Sequence, residues 1–404
     1  MIFKLAWRNI WRSRTRSLVI MSAIVIGVAA TVFIMAFIAG QMQSFISNTI
    51  KNEISHIQIH HPEYKEEYDV SFTMPNIKNR LNEISKLKNV QAATSKTIAN
   101  GIISSAKASR GIMIAGIDPE NEKRVTQMHQ NIIEGDYLSA DKRNPILIGK
   151  RLADKLKVGV RKKLVVRFQD KDGEIIDAAF RIVGIYKTSR NNFDEGTVFV
   201  RQTDLNKLLD LDDAAHKMAI LLHNEQTITQ EKSKIESLSP SLLVETYEEI
   251  SPEVRLFKSQ IDISAKFIMT IIMLALFFGI INTMLMAVLE RYRELGMLMS
   301  VGMNKVRVFC MIVLETFLIG LISAPIGMLV GYVAIQLTAK NGIDLSAYSD
   351  GMSEFGMSSM VYPALSSNAY MQVAIAVLIT TILASAYPAY KAIKLKPVEA
   401  IRKI

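Results

Sequence analysis

Charge disappears from the chain in four places. Residues 18–39 hold no Asp, Glu, Lys or Arg over 22 positions. At about 1.5 Å per residue such a helix measures ~33 Å, enough to cross a hydrocarbon layer of ~30 Å. Residues 267–289 repeat the pattern, 308–335 do so apart from Glu315, and 371–390 form a shorter run ending in Tyr387, Pro388 and Tyr390. Four transmembrane helices are predicted. The first run exceeds the about 7 to 15 apolar residues of a secretory leader and no A-x-A site closes it, so it reads as a retained span.

Between the first two spans, residues 40–266 have ordinary charge density and no stretch long enough to cross again. This is one large aqueous domain. Its edges continue the spans as helices. Met42, Phe45, Ile46, Thr49 and Ile50 keep the i, i+3, i+4, i+7, i+8 spacing of an amphipathic helix over 40–53. At the other end Ser251 and Pro252 suit N-cap and N1, and Val254, Phe257, Ile261 and Ala265 continue helical spacing over 251–266 into the second span. From Pro252 to Leu289 one helix would run ~57 Å, roughly 25 Å more than the hydrocarbon core. Two such stalks can carry movement between bundle and domain, or simply hold the domain clear of the headgroups.

Within the domain, both ends read β-α-β: strands at 54–61 and 90–105 around a helix at 75–87, then strands at 216–223 and 242–246 around a helix at 228–238. The middle, about 110–200, alternates like strands, with turn chemistry at Asp172-Gly173. The expected fold is thus a membrane protein of four transmembrane α-helices with a large α+β domain between helices 1 and 2, the domain carrying a β-rich insert.

Composition changes this picture in one respect, the distribution of charge. The net charge is +10. Residues 1–17 hold five basic and no acidic groups, 290–307 four basic and two acidic, and 391–404 five basic and one acidic. The domain is nearly balanced, with 33 basic and 31 acidic groups, and 336–370 has one basic against three acidic. Positive charge flanking spans favours the cytoplasm. Both termini and the 290–307 loop are therefore expected in the cytoplasm, with the domain and the 336–370 loop outside. Nucleic-acid binding is not needed to explain a basic chain. The single cysteine, Cys310, leaves no disulfide for the domain and reads as a small buried apolar residue.

Candidate chemistry is sparse. His56 and His60 share a strand face but lie ~13 Å apart, too far to bind one ion, and His61 faces the other way. Gly149-Lys150 has the ending of a phosphate loop, yet Asn144 stands where its first glycine belongs. No catalytic, cofactor or metal site is expected in this chain. At the membrane, Phe3, Trp7, Ile10 and Trp11 fall on one helical face beside Lys4, Arg8, Arg12 and Arg16, a pattern suited to the interface. Glu315 lies near the inner end of the third span, placed for snorkelling or for pairing with loop arginines. Gly320, Gly327 and Gly331 permit close helix approach, either at a dimer seam or within the chain.

The loop from Glu290 to Met303 reads ERYRELGMLMSVGM. It resembles the ER-x-R-E-[IL]-G-x-L-x-[AS]-x-G-[MA] signature after the second span of MacB/FtsX-type ABC permeases. Residues 5–17 (LAWRNIWRSRTRS) look like that family's basic start, and 387–402 (YPAYKAIKLKPVEAIR) is similar to its ending. Within the family, residues 55–64 and 145–149 look most like the lipoprotein-releasing LolC/LolE branch. The resemblance implies a MacB-like periplasmic domain, a separate cytoplasmic ATPase carrying the ATP and Mg, and a second permease copy or paralogue. It also implies a periplasmic chaperone or adaptor. Glu290, Arg291, Arg293, Glu294, Leu295, Gly296, Leu298, Gly302 and Met303 would form the contact that couples to the ATPase, with Leu295, Leu298, Met299 and Gly302 as its apolar face. The chain itself would be non-catalytic and would help release lipoproteins from the membrane. Export of peptides, toxins or other amphiphiles by the same mechanotransmission is the alternative. An ion-coupled transporter, for which only Pro325 and Glu315 speak, and a non-transporting sensor or tether belong to other classes.

Overall fold

The computed structural model describes residues 2–12, 14–67, 69–139, 142–354 and 356–394; the part of the C-terminal motif beyond Lys394 lies outside them. The chain divides into two compact units, Met1–Met42 with Lys258–Asp344 and Met360–Ile404, and Gln43–Phe257 with Leu345–Ser359.

The first unit is helical: α1 (Ile2–Arg12), α2 (Arg14–Thr49), α3 (Pro252–Glu290), α4 (Tyr292–Ser300), α5 (Lys305–Asn341) and α6 (Ser367–Ile393). Four of these, α2, α3, α5 and α6, are long and apolar enough to cross a membrane. The boundary between the two units falls inside α2 and inside α3. Apolar runs of this kind do not say which side faces inward. The answer for α2 is a ridge of every fourth residue, Ile20, Ile24, Val28, Val32 and Ala36, all buried. It meets the small residues of α5. A Cβ at Gly327 would sit 2.7 Å from Val28, and one at Gly331 would sit 2.9 Å from Val32. Gly320 stands in the same relation to Thr381 of α6, at 2.7 Å. All three glycines thus allow close helix approach within the chain.

Two expectations at the membrane need correction. Ile10 does not join the aromatic face of α1: it is buried with Ala6 and Asn9, while Phe3, Trp7 and Trp11 point outward. Cys310 is exposed on α5 rather than buried. An apolar stretch makes such a side chain welcome in lipid as well as in a core, and composition cannot separate the two.

The second unit is built on a ten-stranded sheet. Its strands are β1 (Ile57–His60), β2 (Val90–Ser104), β3 (Ser109–Ile117), β4 (Ile132–Gly135), β5 (Pro145–Gly149), β6 (Lys163–Gln169), β7 (Ile175–Tyr186), β8 (Thr197–Arg201), β9 (Lys217–Leu222) and β10 (Leu243–Thr246). The order is β10-β1-β9-β2-β3-β8-β5-β7-β4, and β6 pairs with both β7 and β2. That double pairing closes a six-stranded ring, β2-β3-β8-β5-β7-β6. The β-rich insert is thus not a separate sheet. It shares β2, whose first half pairs with β9 and whose second half pairs with β3 and β6. Gly101 makes the closure possible, because a Cβ there would strike the Arg167 carbonyl of β6. Alternation fills the ring: β6 turns Leu164, Val166 and Phe168 inward against Ile103, Ile148, Phe180 and Val198. On the β1-β9-β10 side, helices Ile77–Ile84 and Ile228–Leu238 cover a second core containing Ile59, Ile84, Met218 and Ile235.

Candidate functional site

The loop carrying the recognised motif folds as the short helix α4. Arg291, at φ −97°, breaks it from α3. Its far end closes on Gly302, at φ +100°, with Gly302 N donating to the Met299 carbonyl at 3.1 Å and Met303 N to the Leu298 carbonyl at 3.0 Å. This is the Schellman pattern, and its left-handed C′ position is what requires glycine there. Asn304 then caps α5, accepting from Val306 N at 3.2 Å.

The charges of the motif are held within the chain. Glu294 pairs with Arg12 of α1 and, at 3.3 Å, with Arg291. Glu290 pairs with Arg16 at 3.2 Å. Arg291 Nη1 donates to both Glu315 oxygens at 3.3 Å, and Glu315 is buried. Arg12 ends α1 and Arg16 lies in the first turn of α2, while Glu290 ends α3 and Glu294 lies in α4, so the two ion pairs join the two helix junctions in antiparallel order. The matching spacing was available in the sequence as a signal. Of the two fates open to Glu315, the structure realises pairing with a loop arginine. Arg293 is exposed on the same helix.

The apolar face expected to meet a partner is turned the other way. Leu295 and Gly296 are buried, and Leu298, Met299 and Met303 pack on the helical core. The outward apolar surface is instead Val301, 90% exposed, with Met297 at 54%. Helical periodicity marks one apolar face but does not say whether it covers the chain's own bundle or another protein.

His56 and His60 of the domain have structural partners. His56 Nδ1 accepts from Leu222 N at 3.0 Å, and His60 Nε2 meets Glu245 at 2.8 Å, with Lys65 on the other Glu245 oxygen at 2.5 Å. At Gly149 a Cβ would run into the Asp194 carbonyl, so the glycine serves a close approach of two backbones. Burial pushes Asp194 up to about 6, against hydrogen bonds from Thr188 that pull it down.

Four helices long and apolar enough to cross a membrane, with an α/β domain between the first two, make this a multi-pass membrane protein. A family model described as MacB-like periplasmic core domain matches residues 17–238, and one described as FtsX-like permease C-terminal matches residues 266–397. The chain belongs to the MacB/FtsX family of ABC transporter permeases. It is 22% identical over 417 residues to an uncharacterized ABC transporter permease of Methanocaldococcus jannaschii, covering 99% of this chain and 97% of the relative. It is 24% identical over 417 residues to the lipoprotein-releasing system transmembrane protein LolC of Neisseria meningitidis serogroup B, covering 96% and 94%. Among solved structures it is similar to the periplasmic region of MacB from Actinobacillus actinomycetemcomitans, with a TM-score of 0.36 and 12% identity over 54% of this chain and 97% of that one.

Proposed function

We propose that this chain is the non-catalytic membrane subunit of a lipoprotein-releasing ABC machine in the inner membrane, with both termini cytoplasmic. A separate ATPase, carrying ATP and Mg, docks on α4 from the cytoplasm. Its closure moves the bundle together with a second permease copy or paralogue, and α2 and α3 carry the movement to the outer domain. The cargo is a lipid-anchored protein taken from the outer leaflet and handed to a periplasmic chaperone. The likeness to LolC supports that choice of cargo. The sparse polarity of the four membrane helices favours it over a solute threaded through the bundle.

The observation that carries the docking is the Met297–Val301 tip, apolar and outward on a helix whose acidic groups are already paired. Burying one such side chain is worth about 1.5 kcal/mol, roughly tenfold in affinity. Val301→Asp should therefore lower ATPase co-purification about tenfold while leaving the permease folded in detergent. Undiminished co-purification of Val301→Asp and Met297→Asp alike would remove this docking surface. Release of a lipid-anchored reporter from proteoliposomes, against a soluble peptide as cargo, separates lipoprotein release from peptide export.

A further inference from the structure

One turn of the domain touches three separate segments. Residues 188–196 leave β7 and return through helix Asn191–Gly196 into β8. On the inner side the turn is anchored. Thr188 N and Oγ1 donate to the buried Asp194 carboxylate at 3.0 and 2.7 Å, and the Asp194 backbone lies against Gly149 of β5. Behind it the Tyr186 hydroxyl donates to the Thr197 carbonyl at 2.7 Å.

On the outer side the Arg190 guanidinium forks. Nη1 donates to Glu53 at 2.8 Å, in the π-helical turn that ends the first stalk, and Nη2 to Glu253 at 3.0 Å, in the first turn of α3. Asn48 of α2 reaches Ser189 at 3.4 Å, and Asn191 donates to Ser353 of the 345–359 segment at 2.9 Å. In that segment Gly356, at φ +70°, lies so close that a Cβ would sit 2.9 Å from Arg190 Cγ and 3.0 Å from Phe45. Phe45 and Phe257, one from each stalk, have ring centroids 4.6 Å apart. Every segment by which the domain connects to the rest of the chain thus converges on this turn.

The two arms of the fork differ in burial. Glu53 is 12% exposed at its side chain and Glu253 is 71% exposed. Burial pushes Glu53 up to about 7 against the pull of Arg190, so parting the two would strand a desolvated carboxylate, whereas an exposed pair is worth little and exchanges readily with water. We propose that Arg190 is a positioning residue: its Glu53 arm fixes the domain to the first stalk, and its Glu253 arm makes and breaks as the second stalk moves. The proposal rests on the ATP-driven reading above and adds which stalk moves against the domain, and through which contact.

The test uses the full chain in complex with its ATPase, Cys310→Ala throughout, with Phe45→Cys and Phe257→Cys as reporters whose oxidative cross-linking is timed with and without ATP plus vanadate. The unaltered fork should show a nucleotide-dependent rate. Glu253→Gln and Arg190→Lys should each reduce that dependence about fivefold, the factor an exposed ion pair can hold, with ATPase turnover and thermal midpoint near the parent's. Arg190→Gln should lose the dependence and also lower the midpoint. If Glu253→Gln leaves the dependence intact, or if its loss across the series merely follows the midpoint, the switching arm is refuted. If ATPase co-purifies normally but the parent shows no nucleotide dependence, the ATP-driven reading fails, and the fork with it.

Discussion

Two arginine-centred junctions tie this chain together, one at α4 in the helical unit and one at Arg190 in the domain. They are built on opposite plans. At α4 three arginines, Arg12, Arg16 and Arg291, face three carboxylates, Glu290, Glu294 and Glu315, and Glu294 has two cations. At the stalk roots a single guanidinium serves two carboxylates from different segments. Redundant pairing suits a joint that must stay rigid while a partner pushes on it. A single fork with one exposed arm suits a joint that lets go. The difference between the junctions is one of multiplicity and burial rather than of residue type.

The largest effect expected from breaking this contrast comes from Arg291, the member of the redundant junction that reaches the most buried acid. Arg291→Ala strands Glu315 without its nearest cation, and removing one partner of a buried pair costs about 3–5 kcal/mol. Thermal unfolding of the detergent-solubilised chain should show a large drop, and Glu315→Gln in the same chain should recover most of it. A small drop, or no recovery, would mean that the rest of the junction shields Glu315 and that redundancy extends to it as well.

How much of each junction was legible follows from how far its partners lie apart in sequence. The spans, the stalk helices and most strands follow from local spacing, since charge-free runs and alternation act within a few residues of themselves. The zip of Arg12 and Arg16 on Glu290 and Glu294 was half legible: both edges repeat every four residues, yet nothing local says that they meet. The fork was not legible. Arg190 is 137 positions from Glu53 and 63 from Glu253, and its neighbours Thr188, Ser189 and Asn191 read as an ordinary turn. The ring closure of β2 with β6 is hidden for the same reason. Leu295 and Cys310 show the other limit. Their apolar character is plain in the sequence, but the surface each one meets is decided by packing.

A smaller effect is expected at the redundant edge. Glu294→Lys sets a cation against Arg12 and Arg291, replacing attraction by repulsion at a largely exposed site, for about 1 kcal/mol. ATPase co-purification should fall severalfold because α4 tilts, and Arg12→Glu in the same chain should restore it. If Glu294→Lys abolishes association and Arg12→Glu brings nothing back, Glu294 contacts the ATPase directly. The junction then belongs to the docking surface rather than supporting it.

The last effect concerns what stands behind the fork. Asp194 is held up at about 6, chiefly by burial, against an ordinary value of 3.8. The folded chain therefore binds this proton more tightly than the unfolded chain does. Its contribution to stability is fully present below pH ~4 and is lost as pH rises through ~6, by about 3 kcal/mol once the group is ionised. Asp194→Asn keeps the shape and an acceptor for Thr188 but cannot ionise, so it should lack that decline. Hydrogen exchange of the β7 and β8 amides in the full chain, measured from pH 5 to 8 and corrected for intrinsic rate, reads the difference. Protection in the parent should fall relative to Asp194→Asn as pH rises. Parallel profiles would mean that the Thr188 hydrogen bonds already offset burial, and that the inner anchor of the fork is indifferent to charge. The α4 junction offers a control, because Asp194 does not belong to it and its exchange profile should not change with this substitution.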